Sequence, residues 1–286
     1  SVREDYKKSI SDEKEIHISI IGRPNSGKST LINKILGEDR LLTGPESGIT
    51  RDSIGISTDW MGKKYRIIDT AGIRKKAKVQ EKLEKLSVAD SIQAIKFSEV
   101  VVLLLDVQTP FDSQDLKIAD FTAKEGRSIV IAVNKWDLEK DKSKKISHLK
   151  QRLKVLLPQL SGVPLVVLSA ITGYGLGDLN KTILDAFRIW NIRISTSRLN
   201  GWLAERLENH PPPAFKGKRV KMRYITQIKS RPPTFVIFSS VVKGVPESYK
   251  RYIVNGLRSD FYLQGTPIRL ILRSGSNPYE KKNKSL

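Results

Sequence analysis

Three features of this 286-residue chain predict an α/β fold followed by a smaller α+β domain. Short runs rich in Val and Ile alternate with amphipathic segments between residues 16 and 190. A glycine-rich stretch, GRPNSGKST, sits between the first such run and the first amphipathic segment. After Trp190 the texture shifts to alternating strands, a triple-proline break and a strong basic excess.

In the first part the apolar runs are IHISII (16–21), KYRIID (64–69), EVVVLLLD (99–106), SIVIAVN (128–134) and PLVVLS (164–169). Runs of this kind read as strands buried on both faces. Between them lie helix-like KSTLINKIL (28–36), VQEKLEKLSVADSIQAIK (79–96), SQDLKIADFTAKEG (113–126), ISHLKQRLKVLL (146–157) and LGDLNKTILDAFRIW (176–190). Strand and helix in alternation imply a mostly parallel sheet with helices on both faces. The stretch SIGISTDWMGKKYRIID (53–69) differs, and reads as a hairpin turning at Met61-Gly62 that adds one antiparallel strand.

Beyond Trp190 come helix-like STSRLNGWLAERLE (195–208), strands RVKMRYITQI (219–228) and RPPTFVIFSS (231–240), helix-like PESYKRYIVNGLRSDF (246–261) and strand PIRLILR (267–273). The order is α-β-β-α-β. The division that follows is a linker over 1–13, a nucleotide-binding domain over 14–190, a second domain over 191–273 and a basic, disordered tail over 274–286. Because the chain opens on Ser rather than Met, it is expected to be a piece of a longer protein.

The formal net charge is +21, and residues 191–286 hold 19 Lys/Arg against 5 Asp/Glu, or +14 of it. Such an excess attracts polyanions, nucleic acid foremost, without fixing a fold. No cysteine is present, which removes disulfides, thiolate metal sites and cysteine nucleophiles. No apolar stretch is long enough to span a bilayer, and no signal peptide is recognisable. A cytoplasmic monomer without membrane attachment is the expectation. His17, His148 and His210 lack ligand spacing, and Trp60 and Trp190 read as packing residues.

Gly22-Arg23-Pro24-Asn25-Ser26-Gly27-Lys28-Ser29-Thr30 contains a complete phosphate-loop pattern between a strand and a helix. Glycines let backbone N–H groups turn around phosphate oxygens, and the helix start adds its positive end. Lys28 is placed to reach the β- and γ-phosphates, and the Ser29 hydroxyl to bind Mg²⁺. Asp69-Thr70-Ala71-Gly72 ends the strand KYRIID, with Asp69 placed to hold Mg²⁺ through water and the Gly72 N–H to meet a γ-phosphate. Asn134-Lys135-Trp136-Asp137 ends SIVIAV, where an aspartate accepts two hydrogen bonds from guanine N1–H and its 2-amino group. Adenine lacks that donor pair, so the base is read as guanine. Ser169-Ala170 ends PLVVL, where a backbone N–H is expected to bond guanine O6.

These residues resemble the translation-factor-related GTPases, and GRPNSGKSTL, Gly48-Ile49-Thr50-Arg51-Asp52 and DTAGIR are most similar to the Era/MnmE/Der group. NGWLAERLENHPPP, YITQIKSRPPTFVIF and SYKRYIVNGLRSDFYLQGTPIRL resemble the KH-like domain of the Der (EngA) family of ribosome-associated GTPases. The resemblance runs from Ile16 to Arg273. It implies the second GTPase domain and the KH-like domain of a protein that also has an N-terminal GTPase domain. It further implies GTP hydrolysis to GDP, ribosome biogenesis at the large subunit, rRNA as partner, and Thr50 as the switch threonine that joins Mg²⁺. Ile73 stands where related switches use a water-orienting glutamine, so another group or a cation must serve. In potassium-dependent relatives an asparagine at the position of Asn25 helps coordinate K⁺ beside the phosphates, and Asn25 is expected to do so here. The catalytic set is then Lys28, Thr50, Gly72 and Asn25. Ile73-Arg74-Lys75-Lys76-Ala77-Lys78 reads either as a solvated loop or as a switch whose contacts change on hydrolysis. In the second domain Arg223-Tyr224 and Tyr249-Lys250-Arg251-Tyr252 interleave basic and aromatic residues, a pattern that fits RNA contact. The GxxG loop of RNA-clamping KH folds is missing, since Lys243-Gly244-Val245-Pro246 does not match it. An RNA-binding module with a structural nucleotide, and an Era-like or tRNA-modifying GTPase, are the competing readings.

Overall fold

The computed structural model describes residues 14–37, 55–68 and 88–274. They fall into two units, one of residues 14–188 together with Gln264–Pro267, the other of Ile189–Leu263 with residues 268–274.

The first unit is built on a six-stranded sheet of order β2-β3-β1-β4-β5-β6. Its strands are β1 (Ile16–Ile21), β2 (Gly55–Trp60), β3 (Lys63–Ile68), β4 (Val100–Asp106), β5 (Ser128–Asn134) and β6 (Leu165–Val167). All neighbouring pairs are parallel except β2 with β3. Met61 and Gly62 join β2 to β3 with φ of 52° and 75°, the left-handed pair that a two-residue hairpin demands. β5 is buried along its whole length and β4 at all but its last residue, as strands covered on both faces must be. β6 is shorter than its apolar run. It is an edge strand, and Pro164 before it carries no N–H for the ladder.

Helices α1 (Lys28–Leu36), α2 (Val88–Phe97), α3 (Ser113–Glu125), α4 (Lys142–Leu156) and α5 (Leu176–Asn191) connect the strands. α4 starts one turn before its apolar periodicity does, because the Asp141 side chain accepts the Lys144 N–H and caps a charged first turn. Since β1, β4, β5 and β6 run parallel, the loops leaving their carboxyl ends share one edge of the sheet, where ligands of such folds bind. The phosphate loop, residues 106–112, Asn134–Asp137 and Ser169–Ala170 are those loops. Trp60 and Trp190 are buried, as packing residues should be.

The second unit has the order α6 (Thr196–Asn209), β7 (Met222–Ser230), β8 (Pro233–Ser239), α7 (Glu247–Asp260) and β9 (Arg269–Ser274). β8 is central, antiparallel to β7 and parallel to β9. Leu199, Leu203, Ile225, Phe235, Ile237, Ile253 and Leu257 form its core. The aromatic residues of the YKRY segment are used in packing. Tyr249 is buried and donates to His210 O at 2.7 Å, and Tyr252 lies 4.9 Å from the His210 ring. Lys250 is bound to Glu247 at 2.6 Å, so three of the four residues have a local use.

Candidate functional site

The phosphate loop bends where its sequence permits. Asn25 has φ of 61° and Gly27 of 92°, and asparagine and glycine are the residues most at ease in that region. Gly27 is the N-cap of α1 and, having no side chain, makes no side-chain cap hydrogen bond, so the cap leaves room for a ligand at the helix start. A Cβ at Gly27 would stand 2.2 Å from Asn134 Nδ2, which bars a side chain there. Lys28 Nζ bonds the Arg23 carbonyl at 2.7 Å, curling the lysine over its own loop. Pro24, Asn25 and Thr30 are exposed, and Ser29 and Gly22 are half-buried.

Asn134 at the end of β5 ties three loops together. Its Nδ2 donates to Ser26 O at 2.8 Å, its Oδ1 accepts the Ala170 N–H at 2.9 Å, and its carbonyl accepts the Val107 N–H at 3.1 Å. Asn134, Ser26 and Ala170 are all buried, so each broken bond would strand a polar group away from water. Lys135 adopts φ of 64°, and its Nζ lies 2.6 Å from Asp106 at the end of β4. Asp137 sits in the short 3₁₀ turn Trp136–Leu138, exposed, with no partner for its carboxylate among the described residues. An unpaired carboxylate held on a turn beside the phosphate loop is a ready acceptor for two donors.

Four of the expected site residues have protein partners in the structure. The Arg23 side chain does not line the phosphate cradle. Its guanidinium reaches Asp115 Oδ1 at 3.2 Å, Thr109 Oγ1 at 2.8 Å, the Thr109 carbonyl, and Asp112 at 3.5 Å. Asp115 is almost wholly buried, and burial pushes its carboxyl up while Arg23 pulls it back. Asp112 is held below the usual range, first by the Gln114 N–H and then by Arg23. Arg23 therefore fastens the phosphate loop to the start of α3. The Trp136 indole is buried in the core with Leu149 and Leu153. Ser169 and Ala170 do not offer free N–H groups to a base. They donate instead to Tyr174 O at 3.0 Å and to Asn134 Oδ1. The next N–H, that of Ile171, is unengaged among the described residues. Thr50, Asp69, Thr70, Ala71, Gly72, Ile73 and the 74–78 run lie outside the described residues.

Sequence reasoning missed Asp106, Thr109 and Asp115, which hold the motif residues from behind. An aspartate closing a buried strand at the ligand-binding edge was the signal available for Asp106.

Two family profiles match the chain. One, described as a 50S ribosome-binding GTPase, covers residues 17–135. The other, the KH-domain-like C-terminal part of EngA bacterial GTPase enzymes, covers residues 193–273. The GTPase Der of Ruegeria sp. (strain TM1040) is 60% identical over 275 residues, 96% of this chain and 56% of that protein. The chain belongs to the Der family. Two further Der proteins agree: that of Ruegeria pomeroyi is 60% identical over 96% of this chain and 57% of its own length, and that of Roseobacter denitrificans 58% over 95% and 57%. The chain thus spans about 57% of the length of these Der relatives. No described helix is long and apolar enough to cross a membrane.

Proposed function

We propose that this chain binds and hydrolyses GTP, and that its nucleotide state governs contact with rRNA during assembly of the large ribosomal subunit in the cytoplasm. The observation that carries the nucleotide part is Asn134. One buried amide joins the phosphate loop, the Asp137 turn and the loop after β6, so that phosphates and base meet a single coupled surface. Asp137 selects guanine by accepting from N1–H and the 2-amino group, and the Ile171 N–H replaces Ala170 as donor to O6. Lys28, whose ammonium has three donors and gives one to the Arg23 carbonyl, reaches the β- and γ-phosphates with the same group.

The donor set fits Mg²⁺ as far as it is described. Ser29 lies in the first turn of α1, half-buried, and its hydroxyl makes no side-chain bond among the described residues. Ser29, with Thr50 and Asp69, would hold Mg²⁺ against the phosphates, where the ion neutralises charge on the transferring group. Ile73 has no hydrogen-bonding side chain, so another group, backbone positioning or a cation must serve where related switches use a glutamine.

Asn25 supplies an exposed amide oxygen, unengaged among the described residues, at the rim of the loop, a hard ligand suited to K⁺. Its left-handed backbone is itself a reason for asparagine, so a variant must separate conformation from ligation. Asn25→Gly keeps φ near 61° accessible and removes the oxygen. Turnover by the unaltered chain should be faster in K⁺ than in Na⁺. In Asn25→Gly that difference should vanish, with GDP affinity kept to within about threefold, a shift of under 1 kcal/mol. Retention of the full K⁺ advantage would remove Asn25 from the site.

The ribosomal part rests on the family and on the concentration of positive charge in residues 191–286. Co-sedimentation with purified ribosomal subunits tests it. Retention on the large subunit with a GTP analogue, and release with GDP, is the expected result. Equal retention in both states would make the nucleotide a structural clip rather than a switch.

A further inference from the structure

We infer that residues 215–221, together with Lys243, form a preorganised basic finger that grips the phosphate backbone of structured RNA. The inference rests on the RNA-contact reading above and deepens it by naming the surface. Phe215 and Lys218 exchange two backbone hydrogen bonds, Phe215 N to Lys218 O at 2.9 Å and Lys218 N to Phe215 O at 3.0 Å. Between them Lys216 and Gly217 have φ of 49° and 71°, so both central residues of this tight turn are left-handed. Such a turn ordinarily carries Asn, Asp or Gly at its first central position. A lysine there costs backbone strain, which a position chosen for the turn alone would avoid.

The finger is also seated. A Cβ at Gly244 would stand 2.2 Å from Phe215 Cγ, so the Phe215 ring lies directly on the Gly244 backbone. That contact pins the turn from behind and brings Lys243 beside it. Lys216, Lys218, Arg219, Lys221 and Lys243 are all exposed. None has a carboxylate within ion-pair distance among the described residues. Elsewhere in the same unit Lys250 and Arg206 are each paired, with Glu247 and Asp260. Five unpaired cations on a rigid scaffold repel one another and are offset only by an external polyanion. Phe215 is half-buried under the turn, with Lys216 Nζ 5.7 Å from its ring, so no bare aromatic face is presented for base stacking. The recognition is therefore of backbone and shape, the mode suited to paired RNA.

The test is filter binding of the full chain to purified 23S rRNA across a series of KCl concentrations. Lys216→Ala/Lys218→Ala should lower the slope of log affinity against log salt by about 1.4 to 1.8, from roughly 0.7–0.9 per lost phosphate contact. Gly244→Ala keeps every charge but forces Phe215 off its seat, and should weaken binding severalfold. GDP affinity and GTP turnover should stay at the unaltered level in both variants. A wild-type slope in the double variant, or wild-type affinity in Gly244→Ala, overturns the finger and leaves the nucleotide reading standing. Absence of GTP turnover in the unaltered chain sinks the nucleotide reading and leaves the finger standing. Equally tight, equally finger-dependent binding to phosphatidylglycerol vesicles overturns the assignment to RNA.

Discussion

Asn134→Ala should lower GDP affinity by about tenfold to a hundredfold while the chain still folds. The asparagine makes two buried side-chain hydrogen bonds, to Ser26 O and from Ala170 N, and alanine leaves both partners without water or protein. Stranding a buried polar group costs about 1–3 kcal/mol, so the two together amount to about 2–6 kcal/mol. Every 1.4 kcal/mol is tenfold in affinity. Part of that loss falls on the unliganded fold, and the rest falls on binding, because the loops it joins are the ones that meet phosphate and base. Calorimetric titration with GDP, beside thermal unfolding of the unliganded protein, separates the two shares. Binding within about threefold of the unaltered chain would show that the loops hold their places without the clamp.

The same residue shows what a sequence conveys and what it withholds. β4 and β5 were legible because strands buried on both faces leave continuous apolar runs, VVVLLL and SIVIAV. The hairpin at Met61-Gly62 was legible because few residues other than glycine tolerate its second position. The first turn of α4 was not, since Lys142, Ser143, Lys144 and Lys145 form a polar run without apolar periodicity, whose helical state depends on the Asp141 cap. Within the site, motif spacing located the loops but not the aim of each side chain. Arg23 belongs to the phosphate-loop pattern, yet its guanidinium turns to Asp115, a residue 92 positions further on. Trp136 lies between two motif residues, yet its large apolar ring gains more from the core than from a wet cleft. Ala170 offered an N–H for a base, and Asn134 takes it. Each departure depends on a partner brought close only by the tertiary fold.

The second large effect is expected at Asp137. Its exposed carboxylate has no partner of its own among the described residues, so a base bearing two adjacent donors gains two charge-assisted hydrogen bonds there. Guanine has N1–H and a 2-amino group. Adenine presents a bare N1 acceptor, which the carboxylate repels. Hydrogen bonds to charged groups contribute about 1.5–3 kcal/mol each, so the preference for guanine should exceed about a hundredfold. The Asp137→Asn change replaces the carboxylate with an amide, one acceptor and one donor group. That pair is the complement of xanthine, whose O2 replaces the amino group.

Calorimetric titration of GDP, XDP and ADP into the unaltered chain and into Asp137→Asn is the most direct test of the claim that one carboxylate chooses the base. The account predicts GDP alone bound tightly by the unaltered chain, and a variant that loses GDP while gaining XDP. Comparable affinity for ADP and GDP in the unaltered chain, or an undiminished grip on GDP in the variant, would contradict it.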